Sequence, residues 1–213
     1  MKLIEEQGIK FFVRDESKYD DMFTVNEVVV EDCYKIDPSW FKGNTVIDIG
    51  ANMGDFSLVC AIKYGVKDVR SFEPEPHNLE IINLNNEING SPLKVYGVAV
   101  GKKGVTCIDN GSGHSQTGRA FGEEVEVMSL NDLDFDRCDV LKIDCEGAEY
   151  DIVEDVTNET WDKIDIIVGE FHSWRWEKEP ERHERMIKRL EEFFDITYSG
   201  YKNSAFWGTK KNV

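Results

Sequence analysis

The stretch VIDIGANMGDF, Val46 to Phe56, places Gly50 and Gly54 in a turn that follows an apolar run and carries an acid, Asp48, at its start. Glycines at the end of a buried strand let backbone come close to a ligand, and such turns often cradle phosphate. A phosphate would want the opposite charge from Asp48. The dinucleotide fingerprint G-x-G-x-x-G fails in every alignment. Started at residue 48 it meets Asp48, Gly50 and Met53; started at residue 50 it meets Gly50, Asn52 and Asp55; ended at Gly54 it needs glycine in place of Ile49 and Ala51. No Gly-Lys-Ser/Thr follows, which also excludes a P-loop.

A ligand that suits Asp48 has an adenosine-like body, no phosphate and positive charge near the turn. S-adenosylmethionine fits, since its sulfonium and ammonium groups favour a nearby carboxylate while Gly50 and Gly54 admit the ligand's body. A second acid, Glu73, lies 19 residues beyond Gly54 at the end of the next apolar run. That is close to the roughly 20-residue spacing at which a carboxylate meets ribose hydroxyls. Asp48 and Glu73 together make a cofactor site. The bland alternative is a structural turn followed by a solvated loop acid.

These residues need a scaffold that brings strand ends together. Val46–Gly50, Val69–Glu73, Leu93–Val100, Asp139–Asp144 and Ile164–His172 are short apolar runs suited to buried parallel strands. Between them apolar residues recur at helical spacing: Phe56, Val59, Cys60 and Tyr64; Leu79 and Ile82 after Pro76; Ala148, Ile152, Val153 and Val156. The alternation predicts a doubly wound α/β sheet. Pro180 opens a further helix with Met186, Ile187, Leu190 and Phe194 on one face, and DITYSGYKNSAFWGT reads as two strands around a turn. That ending adds an antiparallel hairpin. Before the first run, GIKFFV and NEVVVEDCYKI read as a pair of extra strands. The expected division is an amino-terminal β extension over residues 1–43 and the main domain over 44–213.

A chain of 213 residues with 40% apolar content can bury a real core as one domain, and no stretch approaches the roughly 18 apolar residues of a membrane span. The amino terminus carries acids where a signal peptide needs apolar residues, so a cytoplasmic location is expected. Cys33, Cys60, Cys107, Cys138 and Cys145 are odd in number with no CxxC pair, which points to neither a disulfide framework nor zinc. A formal charge of −17 repels phosphate backbones and disfavours nucleic acid as a partner.

The chain resembles the FkbM-type family of class I S-adenosylmethionine-dependent methyltransferases. The matching pieces are VIDIGANMGDFS, FEPEPHN, VAVG, SLNDL, LKIDCEGAEYDIV and VGEFH, in that order over most of the chain. The resemblance implies a Rossmann-like sheet of seven strands with a reversed last strand, and methyl transfer commonly to a hydroxyl of a sugar, polyketide or other small metabolite. It also carries Asn52 of the turn and Ala99 of VAVG to the cofactor side. Cys145, where the family more often has an aliphatic residue, and the Gly111–Gly118 loop depart from the pattern and bear on the choice of acceptor.

A hydroxyl acceptor needs its proton removed. Ligands of open α/β sheets lie beyond the carboxyl ends of the strands, so Asp144 and Glu146 after the fourth run and Glu170 and His172 after the fifth share a rim with Asp48. Asp144, Glu146 and His172 are the candidate catalytic residues. Other readings stay open: Asp144 as an N-cap, Glu146 and Glu149 as acids at a helix start, His172 as a structural histidine. The same groups can bind a divalent cation, but sequence fixes no ligand geometry and no metal is assigned. His114 sits in a Gly/Ser-rich loop, and Trp174 and Trp176 follow the rim, where they can stack on an acceptor or pack. The main reading is O-methylation of a small molecule or glycan. The rival is a non-catalytic module that binds the cofactor.

Overall fold

Alternation along the central strands decides which face of the sheet each side chain meets. The computed structural model describes residues 1–16, 18–108, 123–172, 177–198 and 205–211. His114, the Gly111–Gly118 loop, Trp174 and Trp176 lie outside the described residues. The strands are β1 (Lys2–Glu6), β2 (Ile9–Val13), β3 (Thr45–Ile49), β4 (Asp68–Phe72), β5 (Leu93–Tyr96), β6 (Ala99–Val100), β7 (Gly104–Ile108), β8 (Glu123–Met128), β9 (Cys138–Ile143), β10 (Ile164–Glu170), β11 (Phe194–Tyr198) and β12 (Ala205–Lys210). The helices are α1 (Asp21–Val25), α2 (Asp55–Leu58), α3 (Pro76–Ile88), α4 (Glu149–Asp155), α5 (Asn158–Asp162) and α6 (Pro180–Glu191).

Seven strands form one sheet in the order β11-β12-β10-β9-β3-β4-β5. From β5 across to β10 every pairing is parallel, and β12 runs antiparallel to both β10 and β11. The last strand is therefore the reversed one, as the resemblance implied. Successive side chains go to opposite cores. Val46, Val140 and Ile166 join Phe56, Ile81 and Ile82 on one face, while Ile47, Leu141 and Ile167 join Tyr150, Trp161 and Leu190 on the other. Both faces are covered, which is why the parallel strands read as unbroken apolar runs. The chain reverses its direction of sheet growth between β3 and β9, and the crevice at their carboxyl ends is where such folds hold ligands.

Three expectations need correction. NEVVVEDCYKI is not a strand: α1 runs into a π-helical turn over Asn26–Val30, with Val28, Val29 and Tyr34 buried against Phe56 and its neighbours. β2 pairs instead with β1 through the Gln7–Gly8 turn, whose two positive φ values, 49° and 81°, match a tight hairpin. Leu93–Val100 is not one strand. Gly97 packs against Leu79, the chain leaves the sheet, and Ala99–Val100 pairs with β8 in a second, three-stranded sheet β6-β8-β7. Phe194 opens β11 rather than closing α6, although it stays buried with Met186 and Leu190. Among the described residues, no helix is long and apolar enough to cross a membrane.

Candidate active site

The turn after β3 is shaped by backbone that ordinary residues resist. Gly50 has φ 78°, and a Cβ there would lie 1.8 Å from the Asp144 carbonyl oxygen. The glycine is what lets the ends of β3 and β9 touch. Gly54 has φ 85° and its missing Cβ makes room for Ile82 of α3. Asn52, at φ 47°, adopts the left-handed conformation that asparagine tolerates better than most residues. The backbone N–H groups of Gly50 and Ala51 both donate to Phe72 O at 3.0 Å, tying the turn to the end of β4.

Glu73 extends from that end. Its Oε2 accepts from Asn52 N at 2.7 Å and its Oε1 from Glu75 N at 2.9 Å. Burial pushes the carboxyl up to about 7, against the two N–H donors that favour its charged form. One wall of a cavity is built here: Gly50, Asn52, Glu73 and Ala99 all line it.

Asp48 and Gly54 do not line the cavity. Asp48 is fully buried; its Oδ2 accepts from Ser57 Oγ at 2.7 Å and its Oδ1 lies 3.1 Å from Lys142 Nζ. Lys142 also donates to Gly50 O at 3.0 Å. Burial opposes the lysine's charge, but Asp48, Asp144 and Asp55 outweigh it and hold the ammonium ionised. The opposite charge at the turn's acid is thus a lysine from the neighbouring strand. Sequence reading missed it, yet a signal was there: Lys142 interrupts the apolar run VLKI, and a buried lysine requires a partner.

The rim residues follow β9 and end or follow β10. Asp144, Glu146, Glu170 and His172 all border the same cavity. His172 Nδ1 is 2.9 Å from Glu149 Oε1, and its Nε2 is 3.5 Å from Glu146 Oε2 and 3.7 Å from Asp144 Oδ1. Burial opposes its charge, but Glu146, Glu149 and Asp144 outweigh that and push the imidazole up to about 12, so it stands as an imidazolium. Glu170 is raised as well, in its case toward the neutral form: burial first, then Asp144, push its carboxyl up to about 7. Donor atoms of Asp144, Glu170 and His172 lie within 4.8 Å of one another. Asp144 is not the N-cap of α4; that position is Ala148. Glu149, at the start of α4, accepts from Cys145 N at 3.1 Å as well as facing His172.

The amino-terminal segment closes the remaining side. Tyr34 Oη donates to Asp144 Oδ2 at 2.6 Å, and Phe23, Thr24, Glu27 and Val28 line the cavity beside it. Arg14 fixes this segment: it binds Asp21 through several N–H donors and donates to Asn78 Oδ1 at 2.9 Å near the start of α3. Nothing in residues 1–43 signalled this by type or spacing, because the contacts join positions far apart in the chain.

Known proteins resemble this chain in sequence and in fold. A family model described as "Methyltransferase FkbM domain" matches residues 48–199. Methyltransferase sdnD of Sordaria araneosa is 26% identical over 92% of this chain and 90% of its own length. Methyltransferase 1 of Beauveria bassiana is 24% identical over 80% and 82% respectively. Among solved structures, methyltransferase FkbM of Methylobacillus flagellatus superposes with a TM-score of 0.60 at 15% identity, over 85% of this chain and 47% of that one, so this chain spans about half of its length. Precorrin-6y C5,15-methyltransferase of Geobacter metallireducens gives 0.52 at 12% identity over 94% and 95%. The structural matches show the fold, and the family model, covering well over half of the sequence, shows that this chain belongs to the FkbM-type family of S-adenosylmethionine-dependent methyltransferases.

Proposed function

We propose that the chain methylates a hydroxyl oxygen of a small molecule or glycan, acting in the cytoplasm. The observation that carries this reading is the meeting of Asp144, Glu146 and Glu170 with Gly50, Asn52 and Glu73 around one cavity. The turn and Glu73 fit the cofactor, and the three acids offer proton acceptors.

The residues present suit S-adenosylmethionine. Glu73 offers a carboxylate to ribose hydroxyls, Gly50 and Asn52 bring backbone to the cavity, and Ala99 adds a small side chain beside them. Two buried acceptor atoms on the turn, Asn52 Oδ1 and Asp55 Oδ2, have no hydrogen-bond partner within the protein. Asp48 acts from behind, holding Lys142 and so fixing the β3 and β9 ends. The cofactor supplies a methyl carbon already activated by its sulfonium, which leaves alignment and proton removal to the protein.

The acceptor's O–H proton passes to a carboxylate oxygen at the rim, with Asp144, Glu146 and Glu170 in reach of the cavity. A carboxyl raised to about 7, like that of Glu170, is matched to this work near neutral pH. His172, held as imidazolium, orients Glu146 and Asp144 and offsets their charge. Residues 1–43 bring Phe23, Val28 and Tyr34 to the cavity as the acceptor side, and residues 44–213 bring the cofactor-binding residues and the rim. The formal charge of −17 disfavours a nucleic-acid acceptor.

The test is calorimetric titration with S-adenosylhomocysteine and with NAD, followed by turnover with a panel of hydroxylated acceptors. Tighter binding of S-adenosylhomocysteine and methylation of a hydroxyl support the proposal. Binding without turnover on any hydroxylated acceptor favours a non-catalytic cofactor-binding module.

A further inference from the structure

The cofactor is a cation, and Asp48 is fully buried and already matched by Lys142. Another acid must therefore meet the positive charge. Asp55 follows Gly54 and begins α2, and only 3% of it is exposed. Its Oδ1 accepts from Phe56 N at 2.7 Å, whereas its Oδ2 is buried without a hydrogen-bond partner. The residue lines the cavity together with Gly50, Asn52 and Glu73. Asn52 Oδ1, on the same turn and the same cavity, is likewise buried without a partner.

A buried carboxylate oxygen left without a donor is costly, by more than a neutral group would be. Two such acceptors on residues lining one cavity ask for a ligand group rich in N–H donors. Of the donor groups that S-adenosylmethionine offers, the ribose hydroxyls fall to Glu73. Its α-ammonium is the one that combines several N–H donors with positive charge, the pairing that makes the strongest hydrogen bonds to carboxylate.

We infer that Asp55 is the counter-ion of the cofactor's methionine arm, with its Oδ2 receiving the α-ammonium group and Asn52 Oδ1 accepting beside it. This rests on the S-adenosylmethionine reading and extends it to a residue outside the cofactor set read from sequence. The electrostatics agree: burial raises the Asp55 carboxyl to about 7, Lys142 opposes the rise, and Asp48 and Asp144 add to it. A cation at Oδ2 relieves that penalty, which Lys142, engaged with Asp48 and Gly50 O, does not remove.

The experiment compares two ligands by calorimetry on the full chain, S-adenosylhomocysteine and 5′-methylthioadenosine, which lacks the amino-acid arm. Asp55→Asn is expected to bind S-adenosylhomocysteine at least about 10-fold more weakly than wild type and 5′-methylthioadenosine equally well. Asp55→Ser, which keeps an acceptor for Phe56 N–H, gives the same pattern and serves if Asp55→Asn does not fold. Unchanged affinity for S-adenosylhomocysteine, or an equal loss for both ligands, overturns the assignment. Failure of the wild-type protein to bind either ligand overturns the cofactor reading itself, and this inference with it.

Discussion

Lys142 stands opposite Asp48 in the register of β9 and β3, with its ammonium 3.1 Å from the aspartate and both side chains shut away from water. The pair welds the two strands whose ends form the site. Removing one partner leaves a buried charge uncompensated. Lys142→Met is expected to destabilise the protein by roughly 3–5 kcal/mol, and the double variant with Asp48→Asn to recover much of that loss. Chemical denaturation midpoints check it, and additive losses would show that the two charges do not depend on each other.

Glu73→Ala is expected to weaken S-adenosylhomocysteine binding by about 1.5–3 kcal/mol while the chain stays folded, since a ribose contact adds more to affinity than to packing. Calorimetry alongside a circular dichroism spectrum separates the two effects. Unchanged affinity in a folded variant removes Glu73 from the site.

Stability of the cofactor-free protein should fall as pH rises through neutrality. Burial raises the carboxyls of Asp55 and Glu73, and burial with Asp144 raises that of Glu170, all to about 7. An acid whose folded pKa lies above its unfolded value favours folding most at low pH, and that contribution is lost as pH climbs from about 4 to about 7. His172 is raised to about 12, by Glu146 and Glu149 against the opposing effect of burial. As a base with a raised folded pKa, it contributes fully below about 6.5 and loses that contribution above it. Both windows slope the same way between about pH 6 and about pH 8, by on the order of 1 kcal/mol per unit or more. Urea unfolding at the two pH values tests this, and a flat or rising profile contradicts it.

Glu146→Gln should lower the methylation rate about 10²–10⁴-fold as the loss of a proton acceptor, and His172→Ala should lower it by releasing Glu146 and Asp144 from their positions, both with little change in S-adenosylhomocysteine affinity. Both residues border the same cavity as Glu73. Single-turnover rates beside calorimetry give the two quantities. Normal rates in both variants would take Glu146 out of the reaction and leave the proton to Asp144 or Glu170.

A chelator should leave turnover unchanged if carboxylates take the proton directly. Activity that vanishes with EDTA and returns with Mg²⁺ or Mn²⁺ would instead give Asp144, Glu170 and His172 to a metal ion, their donor atoms lying within 4.8 Å of one another.

Much of the scaffold was legible because buried parallel strands announce themselves: Val46–Ile49, Val140–Ile143 and Ile164–Val168 are apolar on both faces, and the sheet uses both. Rim and turn followed from strand ends alone. What could not be read were facts of register and long-range contact. The acid at the head of the turn, Asp48, has its cation in Lys142: a lysine within an apolar run is legible, but its pairing with Asp48 appears only once β3 and β9 are aligned. The Val28–Val30 run has strand-like composition, yet burial of Val28 and Val29 in the core with Phe56 and the continuation of α1 made it helical, a case of packing overriding propensity. Tyr34 reaches Asp144 across 110 positions, and no local pattern encodes that distance.

The missing side chain at Gly50 has a mechanical meaning. With the Asp144 carbonyl filling the space a Cβ would take, the cofactor turn and the proton-accepting rim rest on each other with no slack. A substitution that pushes the turn outward must move the carboxyl end of β9 with it. Affinity for the methyl donor and rate on the acceptor are therefore geared together through one point of contact, and selection for a wider grip on either ligand will be felt at the other.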